Sequence, residues 1–534
     1  MNGARSGSSH RFRLLRWSRR ISQALFVGLF LYLFISTDYS GSDTINQAVN
    51  VLFRIDPLLA LVTMLAARTV IALMAPALLV VFLSLVAGRT FCGWLCPLGT
   101  LLDASRPLVT ARRTDNRTLW PWLGTTILVF LVVAALVRVP LAGYVDPFSI
   151  LVRGLAVAIY PSFNAAADTF FTLTYQHGPD FINAVTEPLY GVLRDTVLPF
   201  TQHYFDLALI SGVMLIGVFL LELIRRRFFC RTICPLGSML GLCASVGVMR
   251  LRGGDDECGN CRLCGATCRM GAIDAERRID MRFCIVCMDC LVRCPRQVID
   301  FTVSRTGAPQ PAISSRRRQL VAAGAAALAL APLLGVSRVR ARPAGGPIRP
   351  PGALAEAEFL QRCVRCAECI QVCIGNALQP AWLESGFEGI FSPHLVARTG
   401  YCEFNCTLCG QVCPTGAIKH LTLTDKQTTK IGTAWFDTTR CLPYAREVSC
   451  IVCEEHCPTP DKAIKFQLVE VIDQFGVRVL VKQPYVIDEL CIGCGICETK
   501  CPLPGASAVR VTSEGESRNP DSFLPQRSED LGYG

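Results

Sequence analysis

Cysteines are the residues of this sequence whose type and spacing are best suited to chemistry. The chain has 534 residues and 29 cysteines, and two stretches before residue 300 share the spacing C-x2-C-x2-C-x3-C. In this spacing three close thiolates ligate one [4Fe-4S] cluster, while the fourth cysteine ligates the cluster of the other stretch. We therefore predict one cluster on Cys258, Cys261, Cys264 and Cys294, and a second on Cys284, Cys287, Cys290 and Cys268.

Four more cysteine groups follow after residue 340. We number the groups along the chain, so that Cys258 to Cys268 is the first and Cys284 to Cys294 the second. The third and sixth groups have the same spacing as these two. The fourth widens its first gap by one residue, and the fifth widens it to eight residues. Spacing leaves open whether ligands are exchanged between neighbouring groups or between the outer and the inner pair. We predict six [4Fe-4S] clusters in all, the last four on Cys363, Cys366, Cys369 and Cys373 (third group), Cys402, Cys406, Cys409 and Cys413 (fourth), Cys441, Cys450, Cys453 and Cys457 (fifth), and Cys491, Cys494, Cys497 and Cys501 (sixth).

Zinc and disulfides are the alternatives for so many cysteines. Zinc ligands usually come as two separated pairs, often with histidine. Here four cysteines lie close together six times, and His456 is the only histidine inside a group. A disulfide scaffold is typical of small secreted chains. We therefore favour iron-sulfur clusters, and the sequence has no C-x-x-C-H motif for c-type haem.

A second cysteine motif occurs twice, as FCGWLCPLG from Phe91 and FCRTICPLG from Phe229. Each copy follows a long apolar run, so we expect two repeats related by an axis along the membrane normal. Their thiols would then face one another on the cytoplasmic side. We predict a redox-active or metal-binding role for them, with plain packing of buried cysteines as the alternative. These four thiols, here called the membrane quartet, are Cys92, Cys96, Cys230 and Cys234.

The apolar runs themselves predict a membrane domain. Hydrophobic residues make up 51% of the chain, and arginines flank the runs. Because positive charge marks the cytoplasmic side, this pattern accounts for the net charge of +11 and argues against nucleic acid as a partner. The amino terminus and the 89–117 loop are then cytoplasmic. We predict five spanning helices over Ile21 to Thr37, Thr69 to Gly88, Thr118 to Val137, Leu207 to Leu221 (extended by two residues at the interface) and Gln319 to Ser337.

The outward segment from Arg138 to Asp206 is rich in aromatic residues. It also contains His177, His203 and Asp146. Such a surface is suited to lie in the membrane interface and admit a quinone head group. The alternative is an aromatic belt of amphipathic helices without a ligand.

A twin-arginine export pattern lies inside the chain, at Arg317 and Arg318, before an apolar stretch. It predicts that the four later cysteine groups are carried outward. The next residues form a Pro/Gly linker. We expect a helical membrane domain with two α+β domains that carry the clusters: 1–249 membrane domain, 250–311 cytoplasmic two-cluster domain, 312–340 anchor helix, 341–352 linker, 353–511 four-cluster periplasmic domain, and 512–534 disordered tail.

Taken together, these motifs resemble two known families joined in one chain. Residues 1 to about 311 resemble the NapH/MauN-type ferredoxin membrane proteins, through the doubled FCxxxCP and two cluster motifs. Residues from about 314 resemble the MauM/NapG-type extracytoplasmic ferredoxins, through the export pattern and four cluster motifs. The resemblance implies an inner-membrane module that passes electrons from the quinol pool or a cytoplasmic donor to a periplasmic redox enzyme or c-type cytochrome. The enzyme would belong to a nitrate-reductase-like or methylamine-dehydrogenase-like system.

A second functional class stays open from the sequence. Membrane polyferredoxins with similar CxxxCP blocks include assembly proteins, so a maturation factor that supplies electrons for metal or cofactor insertion is the alternative. No acid/base pair, nucleophile or nucleotide-binding glycine loop stands out. Whether the chain is itself an enzyme, for example in oxidising quinol, is therefore left open.

Overall fold

The computed structural model of the protein describes residues 2–39, 41–45, 47–106, 120–199, 201–252, 261, 263–274, 276–296, 298–303, 314–334, 346–472 and 478–520. By its internal contacts the chain divides into two units. The first unit comprises 1–35, 49–154 and 210–333, and the second comprises 36–48, 155–209 and 334–534. Cys258 lies outside the described residues.

Helices make up most of the first unit. The two repeats have their elements in the same order along the chain. Each has an apolar helix, a helix that begins at the proline of an Asp-Pro pair, a further apolar helix, the FCxxxC turn, and a helix that begins at the proline after this turn. The first unit contains the helices Asn2–Ser36, Asn50–Arg54, Pro57–Ala67, Ala77–Ala87, Pro97–Ala104, Leu123–Leu136, Ala142–Val145, Pro147–Gly154, Ala208–Leu220, Pro235–Ser245, Leu263–Thr267, Asp289–Arg293 and Ser314–Leu334, with 3-10 turns at Ala72–Met74 and Leu221–Leu223.

Each of the five apolar runs contains a helix, but most of these helices are shorter than the runs. Two helices of the described residues have the length and hydropathy to cross a membrane, Arg13–Ser36 and Pro147–His177. The second of them falls in the outward aromatic segment and was not among the predicted spans. The Thr69 to Gly88 run is broken because Pro76 precedes the helix Ala77–Ala87, and proline cannot continue the helical hydrogen bonds.

Residues of the predicted two-cluster domain also belong to the first unit. Strand Met249–Arg252 pairs antiparallel with strand Asp300–Val303, so that Leu251 lies opposite Phe301. Along the chain, the two strands flank the cysteines from Cys261 to Cys294. Leu251, Met281 and Ile299 form an apolar core together with Cys284 and Cys290.

The second unit joins the outer segments 36–48 and 155–209 to the four later cysteine groups. Antiparallel pairs of short strands carry the loops between those groups. The pairs are Leu378–Pro380 with Pro393–Leu395, Thr433–Phe436 with Val509–Thr512, and Ile464–Ile472 with Arg478–Val486. The helices and helical turns are Leu155–Ile159, Tyr160–His177, Asp180–Thr196, Glu356–Arg362, Glu368–Gln371, Phe387–Gly389, Leu408–Gln411, Leu423–Thr428, Leu442–Ala445, Val452–Glu455 and Ile496–Lys500.

The boundaries of the four-cluster domain differ from the expected ones at both ends. Residues 346–352, expected in a mobile linker, are part of the domain: Ile348 lies in its core and Arg349 is fully buried. Residues 512–520, expected in a disordered tail, pack on it as well, and Arg518 forms an ion pair with Glu356 at 3.1 Å. Composition did not predict this packing, because the partner of Arg518 lies far away in sequence. The rest of the tail, 521–534, lies outside the described residues.

Candidate functional site

Three cysteine groups share one unusual backbone conformation. The residues two and four positions after the first cysteine have positive φ: Val286 and Met288 in the second group, Arg365 and Ala367 in the third, Gly493 and Gly495 in the sixth. Positive φ is costly for residues other than glycine. Because it recurs at matching positions, the conformation is a shared feature of these cysteine loops and does not follow from the local preference of each residue.

The shared conformation turns backbone N–H groups toward sulfur. The residue two positions after each first cysteine donates its N–H to that cysteine: Val286 to Cys284, Arg365 to Cys363, and Gly493 to Cys491. Such N–H donors stabilise negative charge on thiolate sulfur, and they are among the features that set cluster potentials. The loops therefore fit an anionic thiolate-ligated cluster.

In the third and fourth groups, the last cysteine of each group lies beside the first three cysteines of the other, which we call exchange. Burial raises the pKa of Cys366 and Cys369, and Cys413 of the fourth group raises it further in both. These thiols line a cavity together with Pro414. In return, burial and Cys402 raise the pKa of Cys373 to about 11. The structure thus brings together two sets of four thiols, Cys363, Cys366, Cys369 and Cys413, and Cys402, Cys406, Cys409 and Cys373.

The fifth and sixth groups exchange in the same way. One cavity is lined by Cys441, Cys450 and Cys453 and by Cys501 of the sixth group. Burial raises the pKa of Cys494 to about 12, and Cys457 of the fifth group contributes to the rise. Neighbour exchange is thus the arrangement in the structure, among the two that spacing left open. The resulting sets are Cys441, Cys450, Cys453 and Cys501, and Cys491, Cys494, Cys497 and Cys457.

A contact between the fourth and sixth groups joins the two exchanged pairs. The backbone N–H of Cys402 donates to the backbone carbonyl of Cys494 at 2.8 Å, and Cys402 is close enough to raise the pKa of Cys494. The four sets therefore follow one another in the order third, fourth, sixth, fifth. This order differs from the order along the chain, and sequence reasoning had no signal for it.

The outer segment 36–48 lies against the fourth group. Asp43 accepts hydrogen bonds from the Thr407 N–H at 2.7 Å and from Thr407 Oγ1 at 2.8 Å. Gln411 Nε2 donates to the Asp43 carbonyl at 2.7 Å, and Gln411 Oε1 accepts from the Ile45 N–H at 3.0 Å. Thr407 and Gln411 flank Cys409, so this segment is fastened directly to a predicted cluster site.

The outer segment 155–209 is held by the third group. Gln379 Nε2 donates to the Tyr204 carbonyl at 3.1 Å. The His203 ring contacts the backbone of Cys373, and burial lowers the pKa of His203 to about 4. Val157 and Phe205 pack in the same apolar core as Phe359 and Ile370 of the cluster domain. Both outer segments are therefore built into the second unit.

In the first unit Cys268 meets the second group. Burial raises the pKa of Cys284 to about 12, with Cys287 and Cys268 contributing to the rise, and Cys268 also raises the pKa of Cys287. The Ala272 N–H donates to Cys268 Sγ at 3.3 Å. Of the other predicted set, Cys264 and Cys294 pack against the same core. Cys258 cannot be placed, because it lies outside the described residues.

The two copies of FCxxxC fold alike. Phe91–Leu95 and Phe229–Ile233 each form one π-helical turn. The Cys96 N–H donates to the Phe91 carbonyl at 3.0 Å, and the Cys234 N–H donates to the Phe229 carbonyl at 2.9 Å. Proline then begins the next helix, as expected for a residue without an N–H donor. The Cys234 thiol interacts electrostatically with those of Cys230, Cys92 and Cys96, so the membrane quartet converges.

A buried carboxylate, Asp103, binds three arginines beside the membrane quartet. Its Oδ2 lies 3.0 Å from Arg19 Nη2, 2.8 Å from Arg227 Nη2 and 2.9 Å from Arg269 Nη1. Arg269 follows Cys268 directly and also pairs with Asp289 at 2.6 Å. Burial raises the pKa of Asp103, but Arg227 and Arg269 outweigh it and hold this pKa well below its ordinary value. The network connects the predicted cluster loops to the repeats, and sequence reasoning did not find it.

The residues considered for a quinone site have contrasting surroundings. His177 is exposed at the end of the helix Tyr160–His177. Asp146 is fully buried, and it faces the equally buried Asp56. Each carboxylate caps the helix that follows it. Asp56 accepts from the Leu58 and Leu59 N–H groups, and Asp146 accepts from the Ser149 N–H. The repeated Asp-Pro pair was the sequence signal for these caps.

The described residues show no single-ion site: among them, no three His, Cys, Asp or Glu side chains are grouped closely enough to hold one metal ion. Where the structure forms a cavity, four thiols of one set line it together.

Comparison with protein families gives two matches in the first unit. A model described as a 4Fe-4S binding domain (Fer4_5) matches residues 69–114 and again 207–252. Each matched segment contains one FCxxxCP block. A model described as NosR matches residues 256–298, which include the first two cysteine groups. No solved structure matches the chain.

Curated relatives match part of the chain. The chain is 36% identical over 208 residues to the ferredoxin-type protein NapG of Escherichia coli (strain K12), which is 38% of this chain and 86% of the relative. It is 35% identical over 224 residues to the methylamine utilization ferredoxin-type protein MauM of Methylorubrum extorquens, 40% of this chain and 97% of the relative. Because most of each relative is covered at this identity, the chain belongs to the NapG and MauM family of ferredoxin-type proteins.

Proposed function

We propose that this protein is a membrane-bound iron-sulfur electron-transfer module that takes electrons from quinol and delivers them to a periplasmic redox enzyme. The observation that carries the proposal is the ordered contact of four thiol sets in the second unit, third to fourth to sixth to fifth. A series of clusters in contact is the arrangement that moves single electrons over a distance. Membership of a ferredoxin-type family supports the same conclusion.

Each thiol set would hold one [4Fe-4S] cluster, six with the two sets of the first unit. When bound, the clusters supply one-electron redox chemistry. The chain supplies thiolates, N–H donors to sulfur, and burial, which are the protein's means of setting a potential. In the second group Val286 and Asp289 donate N–H groups to Cys284 and Cys287.

The five apolar runs would anchor the chain in the inner membrane, with the first cysteine groups in the cytoplasm and the last four groups in the periplasm. Support comes from which segments of the chain make up the second unit. The charge pattern puts segments 38–68 and 138–206 outside, and the second unit joins parts of both, 36–48 and 155–209, to the last four groups. Clusters on opposite sides are separated by about 30 Å of hydrocarbon, so a mobile quinol would link the two sides.

The side of the carboxyl terminus tests this topology. A reporter that is active only in the periplasm, fused after Gly534 of the full chain, should give a strong signal. The matched control carries the same reporter before Met1 and should give none, since the arginines near the amino terminus favour the cytoplasm. A silent reporter after Gly534, with an active cytoplasmic reporter at the same place, would contradict export of the second unit.

A further inference from the structure

The membrane quartet lies in two segments that each match a 4Fe-4S family model, yet each FCxxxCP block supplies two cysteines. A cluster of this class takes four thiolates. The only other cysteine in either matched segment is Cys243, and burial raises its pKa with no second thiol contributing. Neither segment can therefore complete a four-thiolate site from its own FCxxxCP block.

We propose that the two repeats together hold one shared iron-sulfur cluster, ligated by Cys92, Cys96, Cys230 and Cys234. This seventh cluster deepens the proposed function, because it would be the redox centre of the membrane domain. The four thiols converge from both repeats. Cys96 and Cys234 are 8% and 6% exposed. The site is thus shielded from water on the side of both CysPro turns.

Sulfur in the membrane quartet accepts N–H donors in the manner of the other cysteine loops. The Gly237 N–H donates to Cys234 Sγ at 3.3 Å, and the Gly99 N–H makes the corresponding contact with Cys96. Both donors are the glycine of a CPLG sequence. A glycine N–H near sulfur lowers the pKa of the thiol in both repeats, which favours a thiolate.

Positive charge around the site is supplied across the repeats. Arg227, three residues before Cys230, donates to the Gly99 carbonyl at 2.7 Å and to the Cys92 carbonyl at 3.2 Å. Arg89, three residues before Cys92, reaches the other copy: a Cβ at Gly237 would lie 2.3 Å from Arg89 Nη2. Each arginine thus lies on the CPLG turn of the opposite repeat.

These two arginines would offset the negative charge of a buried cluster. Four thiolates around an iron-sulfur core leave net negative charge, and buried charge is costly unless it is paired. Arg89 and Arg227 are 2% and 1% exposed, so their charge is not screened by water. Arg227 also pairs with Asp103, but that one carboxylate is shared with Arg19 and Arg269, so positive charge remains beside the quartet.

The site also touches the second cysteine group. Trp94, between Cys92 and Cys96, donates from Nε1 to the Val286 carbonyl at 3.1 Å. Val286 lies between Cys284 and Cys287. A Cβ at Gly93 would lie 2.2 Å from the Ile285 carbonyl oxygen, so only glycine permits this approach. The residues that would hold the shared cluster thus contact the loop that would hold the cluster of Cys284, Cys287, Cys290 and Cys268, a placement that would suit one-electron exchange between the two.

The test is the metal content of the full chain, purified without oxygen, with and without the membrane quartet. Replacing Cys92 and Cys230 by alanine should remove two or four irons per chain, the number in a cluster with four thiolate ligands. Iron in the six groups should remain. The matched control is Cys243→Ala, which changes a cysteine of the same matched segment and should leave the iron content unchanged.

Alkylation followed by mass spectrometry keeps the result interpretable if the double variant folds poorly. In the native wild-type chain the four thiols should resist alkylation until iron is removed with a chelator, and then react together. Loss of zinc instead of iron, or thiols whose reactivity does not respond to the chelator, would overturn the proposal. Because neither readout uses a donor or an acceptor, failure here is distinguishable from failure of the quinol pathway.

Discussion

Replacing Asp103 by alanine is expected to destabilise the first unit by about 3–5 kcal/mol, the range for removing one partner of a buried ion pair. Asp103 Oδ2 lies within 3.0 Å of nitrogens of Arg19, Arg227 and Arg269. The side chains of Arg19 and Arg227 are 1% and 2% exposed. Without the carboxylate these guanidinium groups would remain buried without their charged partner.

Thermal unfolding of the purified full chain would measure this loss as a lower midpoint temperature. The matched control is Asp274→Ala, because Asp274 pairs with Arg278 on the exposed surface of the same unit. Exposed ion pairs contribute little, so this variant should unfold like the wild type. Equal midpoints for the Asp103 variant and the control would show that the arginine network does not stabilise the unit.

Replacing Cys457 by alanine is expected to interrupt electron flow inside the second unit. Cys457 belongs to the fifth group in sequence but meets Cys491, Cys494 and Cys497 of the sixth. Loss of this thiol should therefore remove the sixth-group cluster, about four irons per chain. Since that cluster stands between the fourth and the fifth groups, the fifth-group cluster should remain bound but no longer accept electrons from quinol.

The matched control is Cys501→Ala, which changes the other exchanged cysteine of the pair. It should cost the same amount of iron but remove the terminal cluster, so that the clusters before it are still reduced. Alkylation identifies which cluster is lost in each variant: Cys491, Cys494 and Cys497 should become reactive in the first variant, and Cys441, Cys450 and Cys453 in the second. The reverse pattern would contradict the exchange, and continued reduction of the fifth-group cluster in the Cys457 variant would contradict the order.

Local spacing is enough to define the cysteine groups, because a cluster loop is a short-range structure. The approach of Cys268 to the second group follows from a spacing rule that needs no tertiary information. Neighbour exchange around Cys413 and Cys501 required the structure, since several pairings satisfy the same spacing. The contact of Cys402 with Cys494 depends on how two loops pack, and nothing near either residue encodes it.

The positive φ angles, the break in one apolar run and the boundaries of the four-cluster domain were not predicted from the sequence. Positive φ at Val286 and Arg365 contradicts the local preference of both residues, so only the surrounding loop explains it. The apolar run 69–88 predicted an unbroken helix, but Pro76 divides it. Arg349 and Arg518 were assigned to a linker and a tail by composition, and their shared partner Glu356 makes both part of the domain.

Oxidation of quinol by the full chain tests the central claim most directly. The protein would be reconstituted into vesicles without oxygen, and the visible absorption of its iron-sulfur clusters followed after addition of a naphthoquinol. We predict bleaching that stops when the quinol is exhausted and is lost when Cys96 and Cys234 are both replaced by alanine. Clusters that dithionite bleaches fully but quinol leaves oxidised would contradict a quinol-driven electron-transfer module.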